Sequence, residues 1–420
     1  MVVTRSQNNG AAVPQSEGKS GDTTLSKGER KTLTVVFISL VIDLLSFTVI
    51  LPLLPSLLDY YGSKEDSLYE GLKQSVSSFR LIGSLFSLLQ FIASPVIGAA
   101  SDVYGRKPLL ILTMSGVAVS YGIWAVSQNF GLFVLARVVG GIFKGNISLS
   151  TAVVTDALPQ HKRGKGMAVI GIAFSVGFVF GPLIGAVFSR WARAQQGEFY
   201  VFPALFALAL AVIDVIYVAV VFKETLPEHR RANSISNISS VQKIGLVYFL
   251  YLFFYSGLEF TLTFLTHNRL DYDSMQQGKM FFFIGSLMAI VQGGYVRRVP
   301  PGKEAKLAGI GILLLIPSFI LMAFAHSALI LYLGLTLFSF ASATVVPSLT
   351  TMVSAFGGND QKGTVMGIFR ALGALARALG PMFASTVYWS FGSHICYIIG
   401  GVMLIVPYLI LKAKPSGKSQ

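Results

Sequence analysis

The sequence predicts an all-α membrane protein of twelve transmembrane helices in two pseudo-symmetric six-helix halves. Three observations predict it. The 420 residues are 53% hydrophobic and only 12% charged, against roughly 25% charged in a soluble domain. Twelve apolar stretches of roughly 20 residues follow one another, each long enough to cross about 30 Å of hydrocarbon. A pattern in the fifth stretch returns in the eleventh without a gap. With a mean hydropathy of +0.66, these features exclude a soluble enzyme, a nucleic-acid binder and a disordered chain. The net charge of +14 has no contiguous basic stretch behind it, so it reads as Lys and Arg gathered on one membrane face.

In chain order, residues 1–32 are rich in Ser, Gly and Asn and read as a disordered tail. The first apolar run begins only near Leu33, too late for a cleaved signal peptide. The expected spans are 33–57, 79–101, 107–127, 130–155, 164–189 and 200–222 in a first bundle over 33–222. A linker over 223–242 follows. The second bundle, 243–412, holds spans 243–266, 278–299, 306–325, 328–354, 362–389 and 392–412, before a tail at 413–420. No aqueous domain interrupts the series. The repeat reads RGKGMAVIGIAFSVGFVFGPL from Arg163 and KGTVMGIFRALGALARALGPM from Lys362. Gly164, Met167, Gly181 and Pro182 fall on Gly363, Met366, Gly380 and Pro381. Halves related in this way are typical of secondary transporters, which hold substrate between them near the midplane.

Orientation follows from the basic residues. With the N-terminus in the cytosol, 22 Lys and Arg fall on the cytosolic side. Only Lys64, Lys73, Arg80, Arg190, Arg193, Arg269 and Lys279 fall opposite. Both termini are therefore expected in the cytosol, and the sequons at Asn146 (in a span) and Asn237 (in a cytosolic loop) are expected to stay unglycosylated. One cysteine, Cys396, allows no intrachain disulfide and no cysteine metal cluster. There is no Gly-x4-Gly-Lys-Ser/Thr phosphate loop, and all five His lie in loops or at span ends. The expectation is no cofactor, no metal, no catalysis and no nucleic-acid partner.

Charges inside the spans are the functional candidates, since each costs at least roughly 2.5–3.5 kcal/mol at mid-membrane. They are the carboxylates Asp43, Asp214 and Glu259 and the cations Arg137, Lys144, Arg370 and Arg377. Asp43 lies about 15 Å into the first span at 1.5 Å per residue. A carboxylate balanced between desolvation and a nearby cation can load and release a proton, which makes Asp43 and Glu259 the coupling candidates. Asp214 sits in the sixth span and reads as structural. Arg137 and Lys144 are seven residues apart, nearly one face of a helix, and either could meet Asp43; Arg370 and Arg377 share that spacing. Four cations against three carboxylates favour an organic anion over an organic cation, with Lys144 and Arg377 as its main contacts.

Two motifs carry a family resemblance. Between the second and third spans stands GAASDVYGRKP, Gly98 to Pro108. Gly98 permits close helix approach, Gly105 a tight turn, and Asp102 can meet a helix N-terminus or Arg106, with Lys107 beside it. This resembles the cytosolic signature of the major facilitator superfamily, although Val103 stands where that family usually has a basic residue. Asp156 completes the expected gate. In the fifth span, Gly177, Gly181, Pro182 and Gly185 are similar to the packing motif of the superfamily's drug/proton antiporters; Gly380 and Pro381 repeat part of it. Arg137-x3-Gly141 and Glu224-Thr225-Leu226-Pro227 match further family patterns, so the resemblance covers 33–412. Four more stretches, around Asp43, Arg137–Ala152, Gly245–Leu262 and Gln276–Phe282, resemble a narrower branch assigned to organic anions.

The resemblance implies a monomeric secondary transporter in the lipid bilayer, moving small amphipathic organic anions by alternating access with proton coupling, antiport favoured. The plasma membrane is favoured over an endomembrane or the nuclear envelope. The rival readings are an uncoupled facilitator of the same fold and a membrane-embedded interaction protein that no longer transports.

Overall fold

The structure, a computed structural model, describes residues 24–50, 53, 57, 77–194, 201–231, 242–272, 274–356 and 360–413. Among them, 12 helical stretches are long and apolar enough to cross a membrane. They run Lys27–Thr48, Leu85–Tyr104, Arg106–Ala125, Phe130–Ala157, Gln160–Gly185 and Val201–Val221 in the first half. The second half holds Gln242–Leu270, Met275–Arg298, Glu304–Ala323, Ala328–Val353, Lys362–Phe391 and Ser393–Lys412. Below, the entry end of the bundle is the one carrying Lys27 and Lys412.

The side chains are turned as a bilayer requires. Val220 is 77% exposed, Leu329 71% and Ile290 69%, which would be an aggregation liability in water and is ordinary against lipid. Each half packs its own core. In the second half Phe319, Phe338, Phe369 and Tyr397 anchor one cluster. In the first half Leu40, Leu149 and Val154 belong to one cluster, and Trp124, Phe130 and Phe133 to another. The clusters lie mostly within one half, but Ala152 joins the second-half cluster and Ala168 packs against Val296 and Leu307 across the boundary.

Boundaries differ from the sequence expectation where local chemistry outweighs hydropathy. The first helix starts at Lys27, not Leu33, because Ser26 and Glu29 form a capping box. The expected tail over 1–32 is therefore helical from Lys27 onward, and its first 23 residues lie outside the described residues. So do most of 51–76, which include the end of the expected first span, and the linker positions 232–241.

The fourth span is not one helix. It stops at Phe143 and restarts at Asn146. Lys144 takes φ −76° and ψ 56°, which breaks the hydrogen-bond ladder in mid-span. The freed groups are met locally: Gly145 N–H donates to Phe143 O at 2.7 Å, and Gln90 Nε2 of the second span donates to Lys144 O at 3.1 Å. Broken backbone at membrane depth is tolerated only where protein or a cavity supplies partners.

Glycines set the closest approaches. A Cβ on Gly181 would run into Thr48 Oγ1, and one on Gly177 into Leu44. Thr48 Oγ1 donates to Gly177 O at 2.9 Å. The fifth helix thus lies directly on the first. The repeat does the same in the second half, where a Cβ on Gly380 would meet Phe253 O and Ser256 Oγ of the seventh span. Pro182 and Pro381 sit inside their helices, and Gly185 is buried.

Candidate functional site

Two constellations stand out, one at the entry end and one at mid-depth. The entry-end constellation starts from Gly105, whose φ of +101° turns the chain between the second and third helices and suits glycine. That turn places Asp102 and Arg106, both nearly fully buried, face to face. Arg106 Nη1 lies 2.7 Å from Asp102 Oδ1, and Arg106 Nε lies 2.8 Å from Asp156 Oδ2 at the end of the fourth span. Across the boundary between halves, Asp102 accepts the backbone N–H groups of Gly363 at 2.7 Å and Thr364 at 2.6 Å, and the Thr364 hydroxyl at 2.7 Å. The carboxylate caps the N-terminus of the eleventh helix, where the helix dipole favours negative charge.

Close packing makes this capping possible. A Cβ on Gly98 would overlap the Gly363 carbonyl, and one on Gly367 would come 2.5 Å from Ser94 O. Arg163 Nη1 adds a second crossing, donating to Ser354 O at 2.7 Å.

One member of this group lay outside the gate expected from sequence. Glu224 accepts the backbone N–H groups of Arg106 at 3.1 Å and Lys107 at 2.9 Å, capping the third helix. Lys107 enters the network through its backbone. The Glu-Thr-Leu-Pro run was visible as a family pattern; its capping role depends on a contact 118 residues away in sequence.

At mid-depth the first half holds a buried ion pair. Lys144 Nζ donates to Asp43 Oδ1 at 2.8 Å and Oδ2 at 2.6 Å, with both side chains nearly inaccessible. Its ammonium also lies 4.9 Å from the centre of the Phe47 ring. Of the two cations within reach of Asp43, the break in the fourth span delivers Lys144. Arg137 lies instead 5.8 Å from the Trp124 and Phe133 ring centres, and its Nε is buried without a hydrogen-bond partner. Although the helix between them is interrupted, Arg137 and Lys144 line one void of about 10 Å³ with Phe47, Phe86 and Tyr121, room for about one water.

The second half is aromatic where the first is ionic. Tyr255 Oη lies 3.0 Å from Ser342 Oγ and donates to Glu259 Oε1 at 3.3 Å. Arg377, half-buried, contributes the nearby positive charge acting on Glu259. Arg370 is buried beside the Tyr248 ring, which stacks on Phe369 at 3.9 Å, and its Nε has no hydrogen-bond partner. Among the described residues, no carboxylate lies within ion-pair distance of Arg137, Arg370 or Arg377. No cluster of metal-ligating side chains is present among them either.

The chain is similar to known proteins over most of its length. It is 44% identical to the major facilitator superfamily domain-containing protein 10 of Mus musculus, covering 91% of this chain and 92% of that one. It is 24% identical to the class B tetracycline resistance protein of Escherichia coli, over 84% and 88% of the two chains. Among solved structures, that of the human organic anion transporter MFSD10 (TETRAN) matches with a TM-score of 0.86 and 42% identity, covering 92% of this chain and all of that one. The proton:xylose symporter XylE, at 16% identity and a TM-score of 0.69, shares the fold. Residues 36–381 match the Major Facilitator Superfamily, and with the two repeated halves and the Asp102 contacts that join them, the chain belongs to that family of multi-pass membrane transporters.

Proposed function

We propose that this transporter moves small organic anions by alternating access coupled to protons, with antiport favoured. The observation that carries the reading is the set of arginines Arg137, Arg370 and Arg377, held inside the spans with no carboxylate paired to them among the described residues. Charge withdrawn from water must be paired to be tolerated, and an anionic substrate is the partner that supplies this. Asp43 occupies the Lys144 ammonium, which moves the weight of substrate binding from Lys144 to the arginines. The description of the human relative as an organic anion transporter supports the same class. Asp43 and Glu259 remain the carboxylates that exchange protons in this reading. The excess of Lys and Arg at the entry end favours that end, with both termini, on the cytosolic side of the plasma membrane, and the protein works as a monomer.

Uptake by purified protein in vesicles, with an imposed pH gradient and a panel of organic anions, cations and neutral analogues, tests the reading. Anion uptake that follows the gradient is expected. Arg377→Ala should weaken anion binding about tenfold or more while a neutral analogue loses little, because a hydrogen bond to a charged group contributes about 1.5–3 kcal/mol. Equal loss for both ligands, or preferential transport of cations, would sink the anion assignment.

The gate gives a second expected result. Asp102→Asn keeps an oxygen that can accept from Gly363 or Thr364 but loses the charge facing Arg106. Arg106 retains Asp156, so folding and surface level should be unchanged. Closure of the entry end becomes less favourable, and turnover should fall about tenfold, which corresponds to about 1.4 kcal/mol. Full turnover by a normally expressed variant would reduce this loop to a simple connection.

A further inference from the structure

Asp214 is the carboxylate inside a span that the anion reading leaves without a task. It lies on the sixth helix, Val201–Val221, where every other residue except Tyr217 and Pro203 is aliphatic or Phe. Its side chain is 1% exposed, and neither carboxyl oxygen has a hydrogen-bond partner. Facing it from the first helix is Ser39, also buried, whose hydroxyl is likewise without a well-formed hydrogen bond. Ser39 lies one helical turn from Asp43 on the entry-end side. The charges acting on Asp214 are those of Asp43 on the first helix and Lys144 on the fourth span. Tyr217, on its own helix, is the other titratable neighbour. The third and fifth helices pack alongside and bring no ionisable side chain to bear on it among the described residues.

This cluster has two carboxylates for one ammonium. Lys144 already donates to both oxygens of Asp43. An ionised Asp214 would therefore be a second buried negative charge with no cation of its own and only the Ser39 hydroxyl to meet it, a cost of several kcal/mol. A neutral carboxylic acid removes that cost and gains an O–H that Ser39 Oγ can accept. Two carboxylates that share one cation typically hold one proton between them, and here the geometry assigns it to the member without a partner.

We infer that Asp214 is protonated while the entry end is closed, donating to Ser39, and that it is the proton site of the first half. The coupling role rests on the proton-coupled reading above; the protonated acid does not. When the entry end opens and water reaches the turn between Ser39 and Asp43, the carboxyl O–H breaks, the proton leaves on water, and the carboxylate stays beside Lys144. Asp43, fixed to Lys144, keeps its charge throughout, so in the first half Asp214 takes the proton-exchanging place that the reading above gave to Asp43.

Infrared spectroscopy of the purified protein at neutral pH reads this directly, without transport. Wild type should show the C=O stretch of a buried carboxylic acid. With Glu259→Gln present throughout, so that only the first half contributes, Asp214→Asn should remove that band, Asp43→Asn should keep it, and Ser39→Ala should shift it by removing the acceptor. A band that survives Asp214→Asn, or one lost instead in Asp43→Asn, overturns the assignment. Should Asp214→Asn fail to fold, Ser39→Ala decides: a band that does not move overturns the proposal. In vesicles, Asp214→Asn should sustain substrate exchange without a gradient but lose acceleration by a pH gradient. An Asp214→Asn protein that responds to the gradient like wild type overturns the coupling role. A wild type that shows the band but ignores the gradient overturns the coupled reading and leaves the protonated acid standing.

Discussion

Lys144→Met should destabilise the protein by about 3–5 kcal/mol, the cost of leaving one member of a buried pair without its partner. Asp43 would keep its place at 3% exposure but lose the ammonium that meets both of its oxygens. Taking up a proton offers Asp43 a way out, since a neutral acid costs far less to bury than an ion, so the loss should fall toward the lower end of that range. The broken fourth span adds to the effect. The Lys144 backbone is held by Gln90, and its side chain ties that break to the first helix across 101 residues of sequence. Met preserves much of the aliphatic stem and its contact with Phe47. The double change Asp43→Asn with Lys144→Met removes both charges and should restore most of the melting temperature and expression, while coupled uptake stays lost. Thermal unfolding of the two variants in detergent checks this. A single Lys144→Met protein as stable as wild type would mean the pair contributes nothing to the fold.

The architecture was legible because it rests on long-wavelength signals. Hydropathy over about 20 residues located every span, and the repeat from Arg163 to Lys362 disclosed the two halves. The turn at the entry end was legible for a different reason: Asp102, Gly105 and Arg106 lie within a few residues of one another and each has a local geometric task, whereas their partners Asp156, Glu224, Gly363 and Thr364 are distant in sequence. Signals shorter than a helical turn were easier to misjudge. The Ser26–Glu29 capping box lies among polar residues, so a hydropathy-based boundary put the helix start six residues late. The interruption at Lys144 is weakly marked in composition, since Gly is frequent inside membrane helices and Asn can hydrogen-bond between them without breaking one; the ion pair with Asp43 on another helix is what distinguishes it. Asp214 shows the limit of ranking residues by the usual role of a helix. Its span faces lipid over much of its surface, yet position 214 turns inward and meets the Asp43 pair. Pairing between distant helices decides which charges are satisfied and which are free, and a single sequence does not contain it.

Gly98→Leu should abolish turnover while leaving each half folded. The second and eleventh helices touch backbone to backbone at this point. Even a methyl group on Gly98 would overlap the Gly363 carbonyl and come within 3.0 Å of Gly367 Cα. Neither obstacle is a flexible side chain that can turn away. The helices must therefore separate, by about the thickness of a side chain for Leu. Separation also pulls the Gly363 and Thr364 amides away from Asp102, which holds them at 2.6–2.7 Å. Hydrogen bonds to a charged group weaken steeply with distance. Two independent terms, steric and electrostatic, thus oppose the closed entry end. A shift of about 5.5 kcal/mol carries a two-state equilibrium from 99:1 to 1:99, which overlap with backbone on a rigid helix readily supplies. Most of each core lies within its own half, so the damage should stay mainly at the boundary and leave the melting temperature within a few degrees of wild type. A cysteine placed at Ser354, which is buried at this boundary, should react with a membrane-impermeant thiol reagent in Gly98→Leu but not in the otherwise unchanged protein, both tested with Cys396 replaced by Ala. Uptake at the wild-type rate, or an unreactive cysteine at 354 in a variant that no longer transports, would show that this crossing does not govern closure.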